Sequence, residues 1–279
     1  MSVALVTGAN RVPGIGYEIA RGLALRLPEG SKVILTAREP EMGLEAVAKL
    51  KEEVKGRVEV LFHQLDIAES KSVEALEPFV SKLGGLDVLV NNAGLAFPLN
   101  DSTPFHEQAR RSVDVNYYGT KRMLALKLKP GARVIGISSS AGALSGWSPE
   151  FRQRLLDASV TELDAVAEEF VEAAAKGAHR ESGFPGSAYG TSKTLMTQLH
   201  RAMKVDGLLC AVCPGLCRTH MATGRGTFMS NVLWLASFLV GSSAEGGADT
   251  PLWLCLEVPT EDFHKYNSCF LRGRQVRGY

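Results

Sequence analysis

The chain has 279 residues, of which 45% are hydrophobic and 22% charged, and its formal net charge is +1. These are the proportions of a folded protein long enough for one large domain or two small ones, and the neutral balance argues against a nucleic-acid or acidic-membrane partner. Five cysteines, an odd number, read as reduced thiols rather than a disulfide framework, and the opening Met1-Ser2-Val3-Ala4-Leu5-Val6-Thr7 has no basic leader, so a cytoplasmic protein is expected.

Short apolar runs alternate with helical patterns along the chain. Strands are predicted at Val3–Thr7, Lys32–Ala37, Val58–Gln64, Val88–Asn91, Arg133–Ser138, Leu208–Cys213 and Cys269–Arg272, with helices starting near Gly16, Glu41, Ser70, Phe105, Ala188 and Gly246. This alternation specifies an α/β fold: a Rossmann-type, doubly wound parallel sheet of about seven strands, in a single domain spanning residues 1–279. Two segments break the pattern and read as insertions, residues 149–185 and 222–241. Within the first, Glu162–Lys176 is an alanine-rich helix pattern, and its apolar positions Leu163, Val166, Phe170 and Val171 need a surface to bury against. Within the second, the apolar run Phe228–Val240 is too short and too interrupted to span a bilayer.

Between the first strand and the first helix lies Thr7-Gly8-Ala9-Asn10-Arg11-Val12-Pro13-Gly14-Ile15-Gly16. Glycines there permit a tight turn and close approach of a pyrophosphate, which the helix N-terminus attracts with free amides and a positive dipole end. The second strand ends in Thr36-Ala37-Arg38, where a site for NAD carries an acidic residue. The Arg38 guanidinium suits a 2′-phosphate, with Arg11 as a second cation, and favours NADP(H); the competing reading has Arg38 solvated and Glu39 holding a ribose.

Further along, Tyr189-Gly-Thr-Ser-Lys193 lies downstream of Ile137-Ser138-Ser139. A spacing of four puts the phenol and the ammonium on one face of a helix, where the ammonium is expected to pull the phenol's pKa toward neutrality and make it a proton donor. Cys210, Cys213, Cys217 and His220 have a spacing that invites a metal, but a strand through Cys210 and Cys213 points them to opposite faces, so no metal site is expected.

These motifs, with Leu65-Asp66-Ile67, Asn91-Asn92-Ala93-Gly94, Asn116 and Pro214-Gly215 followed by Thr219, resemble the short-chain dehydrogenase/reductase superfamily over nearly the whole chain. More narrowly they resemble its monomeric NADPH-dependent carbonyl reductases, through Leu95-Ala96-Phe97, Thr103-Pro104-Phe105-His106, Tyr117-Tyr118-Gly119-Thr120 and the long separation of Ser139 from Tyr189. The resemblance implies reduction of a small-molecule carbonyl, with Asn116, Ser139, Tyr189 and Lys193 catalytic and with Ser139 and Tyr189 contacting substrate. It also implies a cofactor cradle of Gly8, Asn10, Arg11, Gly14, Ile15, Gly16, Arg38, Asp66, Ile67, Asn92, Ala93, Gly94, Tyr189, Lys193, Pro214, Gly215 and Thr219. Asn116 would place a water that links Lys193 to solvent. The residues fit two alternatives as well: an alcohol or hydroxysteroid dehydrogenase working oxidatively, and a nucleotide-sensing protein without turnover. Ser139 is assigned by register within a run of three serines, Trp147, Trp234 and Phe97 are candidates for a pocket wall or for core, and the two residues Val12-Pro13 are extra in the glycine loop.

Overall fold

A computed structural model describes residues 1–98, 100–217 and 241–278. Eight strands form one sheet in the order β3-β2-β1-β4-β5-β6-β7-β8. They are β1 Val3–Val6, β2 Lys32–Ala37, β3 Glu59–Gln64, β4 Leu86–Asn91, β5 Leu128–Ile137, β6 Gly207–Val212, β7 Phe270–Arg272 and β8 Gln275–Arg277. The first seven pair in parallel, and the runs of Val, Ile and Leu that were visible in the sequence are buried on both faces, as a covered parallel sheet requires. The eighth strand was not expected. It turns back antiparallel on β7 through Gly273 and Arg274, both left-handed at φ 59°, and all three of its residues are exposed, so no hydrophobic pattern marks it.

Strand order reverses at β1, which lies between β2 and β4. The chain leaves β1 and β4 toward opposite sides there, and the crevice beyond their carboxyl ends is where doubly wound sheets bind ligands. Helices cover both faces. On one side lie α1 (Ile15–Arg26), α2 (Pro40–Val54) and α9 (Ala244–Leu256), packed on the inner residues Val6, Leu35, Val90 and Ile137. On the other lie α3 (Ser70–Lys82), α4 (Phe105–Ser112) and α8 (Ala188–Ala202), packed on Leu5, Ile34, Leu89 and Val134. From α4 the chain runs on through a π-helical stretch, Val113–Gly119, into the short α5 (Thr120–Met123).

The 149–185 insertion folds as α6 (Pro149–Asp157) and α7 (Val160–Ala175), whose first turns are capped by the hydroxyls of Ser148 and Ser159. Leu163, Val166, Phe170 and Val171 of α7 are buried in the same core as α4 and α8, so the helix docks on its own chain. Its polar edge is tied down as well. Asp164 accepts from Tyr117 Oη at 2.9 Å and pairs with Lys121 at 2.5 Å, and Glu168 accepts from Tyr118 Oη at 2.8 Å and pairs with Arg110 at 2.6 Å. The 222–241 insertion falls, except for Gly241, outside the described residues.

Phe170 meets the Phe105 ring edge-on with centroids 6.3 Å apart and lies 5.4 Å from Phe184. Truncating a fully buried phenylalanine loses its transfer free energy and leaves a cavity. Phe170→Ala should therefore lower stability by about 3 kcal/mol or more, read as an earlier urea midpoint with an unchanged slope.

Candidate active site

The loop after β1 and the loop after β4 are locked together. Thr7 Oγ1 accepts from the amides of Asn92 (3.0 Å) and Ala93 (2.9 Å), while Asn92 Nδ2 donates to the carbonyls of Thr7 (2.8 Å) and Gly8 (3.0 Å). The approach is so close that a Cβ on Gly8, which also sits at φ 62°, would lie 3.0 Å from Ala93 Cα, and one on Gly16 would collide with Asn92 Nδ2. These two glycines serve loop-to-loop contact before any ligand is considered. Gly14 begins α1 without a side-chain cap, so the first-turn amides of a twelve-residue helix face the crevice with no side chain satisfying them. The Val12–Pro13 peptide is cis, and Arg11 is exposed beside it. Asn10 is in loose contact with Met42.

At the far end of the crevice a cavity of about 710 Å³ is lined by Arg38, Glu39, His63, Gln64, Asp66 and Ser72, among others. Asp66 Oδ1 accepts from Ala68 N at 2.9 Å, and its own amide donates to Ser72 Oγ at 2.9 Å, which fixes the floor. The Ile67 side chain is buried against Gly119, and its carbonyl accepts from the Arg122 guanidinium at 3.2 Å. The uncapped helix end, the glycine approach and the Arg38 cavity together fit a dinucleotide carrying an extra phosphate, the group that a cation at position 38 would hold.

The reacting groups converge at the end of β5. Its three serines face three ways. Ser138 is buried and shares a 2.6 Å hydrogen bond with Thr197 Oγ1; Ser140 contacts Cys213 Sγ at 3.1 Å; the Ser139 hydroxyl accepts from Ala141 N at 3.1 Å and lies on the Tyr189 side, where it lowers the phenol's pKa. Ser187 caps α8, and from its first two turns Tyr189 and Lys193 project on one face, with Nζ 5.8 Å from the centroid of the Tyr189 ring. Lys193 is 4% exposed. Its Nζ donates to Ile137 O at 2.7 Å, and burial lowers its pKa to about 8.

One expectation about electrostatics is corrected. The Tyr189 phenol is not pulled toward neutrality: burial pushes its pKa above the ordinary value, and the neighbouring Ser139 hydroxyl opposes that only in part. A lysine that is itself desolvated and bonded to a carbonyl does not offset the phenol's own burial.

Asn116 lies in the π-helical stretch and is fully buried. Its Nδ2 donates to Leu95 O (2.8 Å) and Ser192 Oγ (2.9 Å), and its Oδ1 accepts from Leu95 N (2.7 Å), so the amide ties the loop after β4 to α8. A Cβ on Gly94 would lie 3.1 Å from Asn116 Oδ1 and 3.4 Å from Lys193 Nζ, which places that loop directly over the pair. Pro214 and Gly215 follow β6, the latter at φ 83°, and Cys217 Sγ donates to Pro214 O at 3.3 Å. Thr219, His220 and Trp234 lie outside the described residues. Trp147 is core: it is 2% exposed, its Nε1 donates to Thr194 Oγ1 and it packs edge-on against Phe184. Phe97 lies under the Arg111 guanidinium. The residues missed from sequence are Thr7, Ser192, Cys213 and the cavity residues His63, Gln64 and Ser72. Ser192 was within sight, one position before Lys193.

Two turns on from Lys193, His200 is fully buried with Nδ1 at 2.8 Å from Met196 O and no partner for Nε2, and burial lowers its pKa to about 4. A base whose folded pKa is depressed takes up its proton first in the unfolded chain. Its contribution is therefore intact above about pH 6.5 and is lost as pH falls toward 4, by on the order of 3 kcal/mol in full. His200→Met should flatten the fall in thermal midpoint between pH 6.5 and 4; a parallel fall in both proteins would place the acid sensitivity elsewhere.

The short chain dehydrogenase family model matches residues 2–149. Carbonyl reductase (NADPH) 1 of Mus musculus is 42% identical over 275 residues, covering 92% of this chain and 91% of its own length, and the protein of the same name from Homo sapiens has the same identity and coverage. Among solved structures, salutaridine reductase from Papaver somniferum superposes with a TM-score of 0.78 at 28% identity, covering 97% of this chain and 99% of its own. Matched by the family model over more than half its length and by these relatives almost end to end, the chain belongs to the short-chain dehydrogenase/reductase family.

Proposed function

We propose that this chain reduces a ketone, aldehyde or quinone carbonyl to the alcohol with NADPH. The single observation that carries the reading is the buried Lys193 ammonium held 5.8 Å from the centroid of the Tyr189 ring by the Ile137 carbonyl, at the end of β5 where Ser139 follows. The bound nicotinamide supplies hydride to the carbonyl carbon. Tyr189 protonates the carbonyl oxygen, and Ser139 donates a hydrogen bond to that oxygen as charge develops on it. The phenol's raised pKa keeps the proton in place at neutral pH for transfer to the carbonyl oxygen.

Lys193 faces the phenolate left behind, and its ammonium stabilises that charge more strongly for being out of water. Asn116 acts as a positioning residue. Its amide is committed to Leu95 and Ser192, which holds the Gly94 loop over Lys193, so a water relay would draw on its main chain rather than its side chain. Asn10, Arg11, Gly14, Ile15, Arg38, Asp66, Asn92, Ala93 and Gly94 would line the nucleotide's path, with Pro214 and Gly215 toward its nicotinamide end.

Tyr189→Phe removes the acid and keeps the ring. It should lower kcat about a hundredfold or more while NADPH binding stays within about twofold by fluorescence titration. Retention of most activity would remove the proton-donor assignment.

The chain is further proposed to work as a monomer in the cytoplasm. No described helix is long and apolar enough to cross a membrane. Docking of α7 over α4 and α8 covers the apolar face that a helix-to-helix assembly would use. Sedimentation at micromolar concentration should give a single species of one chain, whereas a stable tetramer would show that α7 leaves a sticky face exposed.

A further inference from the structure

His63 is the last residue but one of β3, in register with Thr36 of β2, and lines the same cavity as Arg38. Its ring packs against Phe79 of α3 with centroids 5.2 Å apart, which holds it half-buried rather than free to swing. Its Nδ1 lies 2.6 Å from Gln64 O. A carbonyl only accepts, so Nδ1 carries the hydrogen, and Nε2 is the ring nitrogen left to act toward the cavity. Gln64 Nε2 donates to Arg38 O at 3.1 Å, so the two walls are stitched at the backbone and not through the cations.

We propose that His63 is a second contact to the 2′-phosphate of the nucleotide, and that its protonation sets how strongly the site prefers the phosphorylated form. This deepens the NADP(H) reading and rests on it. Arg38 supplies a permanent charge. A protonated imidazole adds a second donor to a dianionic phosphate, and a neutral one offers only a lone pair, which repels it. The other charged groups lining the cavity are Glu39 at the start of α2 and Asp66 at the end of β3. Asp66 is engaged with Ala68 N. The exposed charges of α3, Lys71, Glu74 and Glu77, do not line the cavity.

The test uses the nucleotide halves 2′,5′-ADP and 5′-ADP, measured by calorimetry with the full chain, so it needs no turnover. Measurements run from pH 6.5 to 8.5, above the second ionisation of a phosphate monoester at about 6. The wild-type protein should prefer 2′,5′-ADP at least about threefold more strongly at pH 6.5 than at 8.5. H63Q should keep an Arg38-based preference but lose its pH dependence, and H63K should keep a strong preference at both pH values. A preference in the wild type that does not vary with pH, or one that varies equally in H63Q, would overturn the proposal. Failure of the NADP(H) reading itself looks different: 2′,5′-ADP would then bind no better than 5′-ADP at any pH.

Discussion

The close approach of the loop after β1 to the loop after β4 is the constraint on which the rest of the site depends. Thr7 and Asn92 exchange four hydrogen bonds across it with the main chain of Thr7, Gly8, Asn92 and Ala93, and two glycines make the distance possible. The contact joins the two strands between which the sheet changes direction. It thereby orients the free end of α1 and carries Gly94 and Leu95 toward Asn116, whose amide passes the constraint on to Ser192 of α8. From the nucleotide loop to the YxxxK helix the site is one connected set of short hydrogen bonds.

That precision comes with strain of an electrostatic kind on α8. The helix buries Lys193 and His200 two turns apart, both driven toward their neutral forms by desolvation. Lys193 is not there to stabilise the fold. A buried lysine bound to a single carbonyl and a sulfur is a costly way to fill space, and an apolar side chain would suit the core better. What the arrangement provides is a cation fixed out of water beside the Tyr189 ring, where water does not screen its effect on a developing phenolate.

The insertion that separates Ser139 from Tyr189 packs into an existing core. Its second helix joins the core already formed by α4 and α8, with aromatic packing at the centre and carboxylate pairs at the edge. Those pairs are half-exposed and contribute little energy alone. They set the helix's orientation, while Leu163, Val166 and Phe170 supply the stability.

Sequence alone determined what local periodicity encodes. The seven parallel strands, the helices between them and the insertion helix follow from apolar spacing, and Tyr189 and Lys193 share a face because a helix repeats near four residues. Tertiary structure decided what depends on neighbours distant in the chain. Where each of three adjacent serines goes turned on the chain beyond β5, Ser138 to Thr197, Ser139 to Ala141 N and Ser140 to Cys213; Trp147 proved to be core because Phe184 and Thr194 close around it; and β8 formed because β7 offered an unpaired edge, with no burial to announce it. The direction of Tyr189's pKa also lay beyond the motif. The motif supplies a cation at helical spacing, but burial, which no local pattern records, raises the phenol's pKa, because taking a phenolate out of water costs free energy.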